Sequence, residues 1–275
     1  MNRSLFIAKA RANQYYNNWQ IKVNDLNKQI KKWVEMLDKI YSSLISYSRK
    51  SKAYDTNNIA QFVAYTIKHS QLFTFDSIRT LIKNGQYFDS FTLLRSLFEG
   101  HITLWRICNG DPYITLEFLD KAQKTSHNFW VEINKNLKDS YNDYYDENTL
   151  IPVDIENGYW EKPLNEVVDE IDAIEENAWP YHALMSIRIY STGSEFIHRS
   201  SYAIDQAFIV TKSNGGKNIL VGNPNLAIES AWWSSIIILD SEKWYRRFLK
   251  DKYYQEFDDL KKESMKMASQ WTKCK

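Results

Sequence analysis

The chain has 275 residues and is 44% hydrophobic, which is enough apolar material for a substantial core and excludes an intrinsically disordered protein. Aromatic residues make up 15% of the chain, whereas glycine and proline number only 8 and 5, a balance that favours long helices over a β-sandwich. The net charge of +1 conceals an uneven distribution of charge along the chain. Residues 1–52 contain 11 Lys and Arg but only 3 Asp and Glu, whereas residues 139–178 contain 13 Asp and Glu but only 1 Lys.

The two cysteines, Cys108 and Cys274, form neither a metal-binding spacing nor a disulfide framework, which is typical of a reducing compartment. The apolar run near the N-terminus is too short for the core of a signal peptide. The longest other apolar stretch, Ala231–Leu239, is too short to cross a bilayer. We therefore expect a cytoplasmic protein that does not enter a membrane.

The first element is predicted to be a long basic amphipathic helix from Ser4 to about Ser48. Its apolar residues recur at spacings of three and four, as one helix face requires: Ile30, Trp33, Leu37, Ile40 and Leu44. We treat residues 1–52 as an N-terminal helical unit and residues 53–275 as a single helical bundle domain.

Three more helices are predicted before the acidic region. The second runs from Asn57 or Asn58, both good capping residues, to Lys83, where Asn84-Gly85 is a stop signal. The third covers residues 86–108 and ends before Asn109-Gly110. A fourth starts at Asp111-Pro112 and continues to about residue 137.

The second half of the chain begins with a long acidic loop over residues 139–163, followed by a short acidic helix. Pro180 suits the first turn of a helix that reaches about residue 207. Near residues 207–222, Asn214-Gly215-Gly216 separates two β-prone runs, which indicates a small β-hairpin or, as the alternative, a flexible loop. Helices at about 225–249 and 252–272 complete an all-α, multi-helix bundle.

The third helix places an arginine inside an aromatic stripe. The stripe consists of Phe88, Phe91, Arg95, Phe98, Ile102 and Trp105, at alternating spacings of three and four. Glu99 lies one turn after Arg95 and is expected to pair with it, and burial would make the pair more important for specificity than for stability. An architectural ion pair and a catalytic pair both remain open at this point.

The helix after Pro180 carries a polar stripe on one side: Arg188, Ser191, Glu195, His198, Tyr202 and Asp205. His198 is a candidate general acid or base, with Glu195 placed to orient it, and a solvated face is the alternative. Arg188, Glu195 and Tyr202 are candidate substrate-binding residues. Glu195 and His198 form a single Glu-x-x-His pattern without the second copy that di-iron bundles use, so no metal site is predicted.

The second helix adds His69 and Arg79 as candidate substrate-binding residues on a comparable polar stripe. A polar pocket shared by the three helices is therefore expected. Glycine-rich phosphate and dinucleotide motifs are absent, as is a Gly-x-Ser-x-Gly elbow, and we expect no cofactor.

The run LIKNGQYFDSFTLLRSLFEG, followed about one hundred residues later by YSTGSEFIHRSS, resembles an uncharacterised bacterial all-helical family known only as a domain of unknown function. The signature of that family pairs an Arg-x-x-x-Glu helix with a later Ser…His helix. The matching residues here are Arg95, Glu99, Ser194 or Ser191, and His198. The resemblance covers about residues 60–210 and implies a fold and a site without naming an activity.

Arg95-Ser-Leu-Phe-Glu-Gly-His101 is also similar to the Arg-x(n)-His motif of the HEPN superfamily, helical proteins that often act as metal-independent ribonucleases in toxin and antiviral systems. The resemblance implies that the arginine stabilises charge on a phosphate and that the histidine moves protons. His101 lies about 120° from Arg95 on an undistorted helix. Either Gly100 bends or ends the helix, or His198 takes the role of the histidine.

The sequence thus supports two functional hypotheses. The first is a HEPN-like effector acting on RNA or a nucleotide, such as a toxin or phage-defence component, with Arg95, Glu99, His198 and His101 as its catalytic residues. The second is a non-catalytic assembly protein with a structural Arg95–Glu99 pair. In that case Trp19, Trp33 and Leu37 of the first helix would pack against a partner protein or a second copy.

Overall fold

The computed structural model describes residues 3–50, 54–55, 57–122, 125, 162–175, 181–191, 208–212 and 218–272. The first three helices are α1 (Arg3–Ser48), α2 (Ile59–Lys83) and α3 (Tyr87–Asn109). Their borders follow the predicted capping signals, since the side chain of Asn58 accepts a hydrogen bond from the Gln61 backbone N–H. After α2, Gly85 has a φ of 75°. This left-handed conformation suits glycine and turns the chain directly into α3.

The remaining described elements are mostly helical. Residues 112–122 form α4, and α5 (Leu164–Ile174) precedes α6 (Tyr181–Met185), which continues as a π-helix over Ser186–Ser191. Strands β1 (Phe208–Lys212) and β2 (Asn218–Gly222) pair antiparallel, with Val210 opposite Leu220. Helices α7 (Pro224–Phe248) and α8 (Gln255–Thr272) complete the chain. The predicted all-α bundle is confirmed, and the small hairpin is present.

Helix α7 is the central element of the bundle. It contacts α1, α2, α3 and α8, and 20 of its 25 residues are buried. Because neighbouring helices surround α7, apolar residues occur on all of its sides, as in Ala231–Leu239, together with buried polar residues such as Ser234 and Glu242. None of the helices in the described part of the chain combines the length and apolar character needed to cross a membrane.

The apolar face of α1 belongs to the same core. Trp33 and Leu37 are only 2% and 0% exposed and pack in one cluster with residues of α2, α3 and α7. The interpretation of these two residues as a docking face for a partner is therefore wrong, because their side chains are already covered by the rest of the chain. The side chain of Trp19 lies outside the described residues.

Helices α2 and α3 approach each other closely at Gly100. A Cβ atom at this position would lie 3.2 Å from Cγ of Gln71, so a glycine accommodates the neighbouring helix. Gly100 sits inside the continuous helix α3 and does not end it. The expectation that Gly100 bends or ends the helix and so brings His101 beside Arg95 is therefore wrong.

Candidate functional site

Arg95 lies on the side of α3 that faces the π-helix. Its Nε donates a 2.8 Å hydrogen bond to Oε1 of Glu99, as the spacing of four residues predicts. The side chains of Arg95 and Glu99 are 18% and 49% exposed. The ion pair forms, but the expectation that it is buried is wrong, because Glu99 points towards solvent.

The guanidinium of Arg95 is held in a second way. Its central carbon lies 4.4 Å from the ring centroid of Tyr190, so the cation stacks on the aromatic face. Within the described residues, Nε is the only nitrogen of this guanidinium that donates a hydrogen bond. The contacts with Glu99 and Tyr190 fix the orientation of the group.

The π-helix Ser186–Ser191 supplies the aromatic partner of Arg95. Such helices are rare and frequently occur at functional sites. Arg188, in the same segment, is an ion-pair residue, since its Nε and Nη2 lie 3.0 and 2.6 Å from Oε2 of Glu229 on α7. The guanidinium of Arg188 also lies 5.6 Å from the ring centroid of Phe91. These contacts tie the π-helix to α3 and α7.

Three of the predicted site residues, Glu195, His198 and Tyr202, lie outside the described residues. The described helix that carries the polar stripe ends at Ser191. The roles predicted for these three residues therefore stay predictions.

His101 is fully buried, on the side of α3 that faces the core. Its Nδ1 lies 2.8 Å from Oγ of Ser241, which accepts a 3.0 Å hydrogen bond from Nε2 of Gln71. The ring stacks on Trp244 at 4.2 Å and on His182 at 5.4 Å. Burial, with smaller contributions from the charges of His182 and Lys261, lowers the pKa of His101 well below its usual value and keeps it neutral.

His182 in turn is fixed by Asp172 at the end of α5. Its Nδ1 lies 2.7 Å from Oδ1 of Asp172, and the backbone N–H of Ala183 donates to Oδ2 at 3.1 Å. Burial raises the pKa of Asp172, but the bonds from His182 and Ala183 outweigh it and the pKa is lowered overall. Asp172 thus joins α5 to α6 and orients the second imidazole of the cluster.

The candidates on α2 lie apart from Arg95. Arg79 pairs with Asp38 of α1 and with Asp76, and it stacks on Tyr41 at 4.5 Å. The ring of His69 packs against that of Tyr65 at a centroid distance of 4.2 Å, and burial lowers the pKa of His69. Among the described contacts, no hydrogen bond, ion pair or ring contact joins these two residues to Arg95.

Sequence reasoning missed the most deeply buried charges of the molecule. Glu242 of α7 lies 3.1 Å from Nζ of Lys68 and 2.5 Å from Nε of Arg246. Arg246, which is fully buried, also binds Asp251 at 3.0 Å and the backbone carbonyl of Tyr47 at 3.3 Å. The available signal for Glu242 and Arg246 was their spacing of four residues in the helix that carries the apolar stretch Ala231–Leu239.

The titratable residues of the described part of the chain do not form a metal site. No group of three or more His, Cys, Asp or Glu side chains lies close enough together there to hold an ion. The described geometry therefore places Arg95, a partly exposed cation held by Glu99 and Tyr190, on one side of α3, and a closed cluster around His101 on another.

A family model described as a family of unknown function, DUF5677, matches residues 61–217, more than half of the chain. The chain belongs to the DUF5677 family. The match covers α2, α3 and the π-helix, the elements that position Arg95, and it confirms the resemblance to an uncharacterised helical family. No curated protein and no solved structure matches this DUF5677 chain.

Proposed function

We propose that this DUF5677 protein is a HEPN-like helical effector that acts on RNA or a nucleotide, with Arg95 as its phosphate-binding group. The observation that supports the proposal is the set of contacts that the Arg95 guanidinium makes. Glu99 holds its Nε and Tyr190 covers one face, while Nη1 and Nη2 donate no hydrogen bond within the described residues. A planar fork with free donors matches the geometry of a phosphate.

The proposed reaction is metal-independent cleavage of RNA. The 2′-oxygen attacks the adjacent phosphorus and the 5′-oxygen leaves, while a histidine moves the proton between these two oxygens. Arg95 would stabilise the negative charge that develops on the phosphate, and Glu99 would be a positioning residue that orients Arg95. Because His101 is fully buried beside Ser241, the proposal assigns proton transfer to His198.

The basic surface of α1 supports the same proposal. Lys28, Lys31, Lys32 and Lys39 are exposed on the described part of this helix. Lysines that contact phosphates add affinity without sequence specificity, and this affinity falls as salt rises. We therefore expect α1 to contribute to RNA binding outside the Arg95 site.

Arg95→Ala is expected to weaken binding of a short single-stranded RNA by about tenfold or more, because a charge-assisted fork is lost. Arg95→Lys keeps the charge but loses the fork, and should recover only part of the affinity. Fluorescence anisotropy across a range of salt concentrations measures both effects. RNA cleavage or cell toxicity should be lost in Arg95→Ala and in His198→Ala, while the unfolding transition is retained.

Arg247→Ala is the matched control, since Arg247 also pairs with a glutamate, Glu175, at 2.9 Å on an exposed helix end. It removes the same charge and should leave RNA affinity nearly unchanged. Equal RNA binding by wild type and Arg95→Ala contradicts the proposal. Unfolding of Arg95→Ala would instead indicate the architectural pair of the second hypothesis.

A further inference from the structure

The outer face of α2 is an exposed stripe without a charged side chain. The exposed residues between the start of α2 and residue 80 are Ile59, Phe62, Thr66, Ser70, Phe73, Ser77 and Thr80. They recur at spacings of three and four and so form one continuous face, about 33 Å long at 1.5 Å per residue. Phe62 and Phe73 are 46% and 72% exposed. Two exposed phenylalanines on a neutral face are typical of a protein interface.

Two of the four hydroxyl groups of this stripe donate hydrogen bonds within the helix. Thr66 donates to the backbone carbonyl of Phe62 at 3.0 Å, and Ser77 donates to that of Phe73 at 2.9 Å. Burying these two side chains under another protein would therefore leave no unpaired donor. The hydroxyl groups of Thr66 and Ser77 can therefore lose their water at little polar cost.

The stripe is also complementary to itself under a two-fold rotation. If two copies of α2 cross antiparallel with the axis near residue 68, Phe62 of each copy faces Phe73 of the other. The same register places Thr66 opposite Ser70, and Ile59 opposite Ser77. Small residues then meet at the crossing point, where helices approach most closely, and phenylalanines pack on both sides, which is the arrangement that a symmetric isologous dimer requires.

The exposed apolar area is of the size that a dimer needs. With about 200 Å² for each phenylalanine side chain, the exposed fractions of 46% and 72% leave roughly 240 Å² per copy. A small specific interface buries about 1,200 Å² in total, of which roughly 57% is apolar. The phenylalanines of two copies supply about two thirds of that apolar area, and Ile59 adds to it. No charge on the stripe opposes the contact.

We infer that the outer face of α2 is the interface of a homodimer, in which two copies pair antiparallel about an axis near residue 68. This interface involves different residues from the Arg95 site and from the apolar face of α1, which is buried in the core of its own chain. The partner is a second copy of this chain, because the face complements itself and carries no charge that would select another protein.

The test exploits the predicted pairing of residue 62 with residue 73. Phe62→Lys and Phe73→Asp are each expected to weaken self-association of the full chain at least tenfold, because each buries a charge twice in the symmetric dimer. An equimolar mixture of the two variants should restore dimers. In the mixed dimer the introduced lysine of one copy faces the introduced aspartate of the other, and the second Phe62–Phe73 pair is intact. Sedimentation equilibrium at chain concentrations on the order of 1 to 100 µM measures the degree of dimerisation of each variant and of the mixture.

Met265→Asp is the control, since Met265 is 41% exposed on α8, away from the stripe, and its replacement should leave the dimer intact. Circular dichroism and thermal melts check that each variant is folded. A wild-type chain that stays monomeric at the highest concentration overturns the inference and indicates that a different protein covers this face. Dimers of F73D alone also overturn it, as does a mixture that remains monomeric.

Discussion

Replacing Glu242 with alanine is expected to destabilise the protein by about 3–5 kcal/mol, because it leaves the buried Lys68 without the counter-ion described for it and Arg246 with Asp251 alone. Glu242 lies between Nζ of Lys68 and Nε of Arg246, and all three side chains are almost completely buried. An uncompensated charge in the core costs far more than the pair itself contributes. Urea unfolding followed by circular dichroism measures the change in the free energy of unfolding.

Glu263→Ala is the matched control for this prediction. Glu263 pairs with Lys39 at 3.0 Å, but both side chains are about half exposed. Its replacement should cost less than about 1 kcal/mol, as for other solvent-exposed ion pairs. Glu242→Gln keeps the side-chain volume and one acceptor oxygen, so its loss of stability is expected to lie between those of Glu242→Ala and Glu263→Ala. It replaces Glu242→Ala in the measurement if that variant does not fold. A loss at Glu242 as small as that at Glu263 would contradict the assignment of a buried network.

The contrast between Glu242 and Glu99 explains which parts of the site could be predicted from sequence. Arg95 and Glu99 are four residues apart on one helix, so local geometry was sufficient to predict their ion pair. Their burial depends on what covers α3, and this is not encoded in the spacing. The neighbour of Arg95 turned out to be Tyr190, which is 95 positions away in the chain.

The helix borders were predictable because capping is also a local property. The side chain of Asn58 caps α2, and Gly85, which has no Cβ, adopts the left-handed conformation that follows the helix. The partners of Lys68 were not predictable in this way, since Glu242 lies on another helix 174 positions later. Contacts between distant segments depend on the packing of α2 against α7, which helical periodicity alone does not determine.

The role of His101 also could not be predicted from the sequence, because it depends on contacts with distant segments. The resemblance to the Arg-x(n)-His motif suggested that His101 is the acid–base partner of Arg95, but α3 stays regular through Gly100 and directs the imidazole into the core. There Ser241, Trp244 and His182 surround it. A histidine in such surroundings contributes to the pH dependence of folding, because its environment disfavours the protonated form.

Acidification from pH 7.5 to pH 5 is expected to destabilise the protein through His101. The folded protein keeps this imidazole neutral because burial lowers its pKa well below the ordinary value of 6.5, whereas the unfolded chain binds a proton near that pH. Below about pH 6.5 the unfolded state therefore holds more protons, and the free energy of unfolding falls by up to about 1.4 kcal/mol per pH unit until the folded pKa is reached. Above that window this contribution is constant.

His101→Gln should make this dependence much shallower, since it removes the titrating group, although it also loses stacking on Trp244. His69→Gln should retain most of the dependence, because His69 is only partly buried and its pKa is less strongly lowered. Urea unfolding at half-unit steps of pH compares the slopes. Carboxylates such as Asp172 lose their stabilising contribution only near and below pH 4, outside this range. An unchanged slope in His101→Gln would show that another group carries the acid sensitivity.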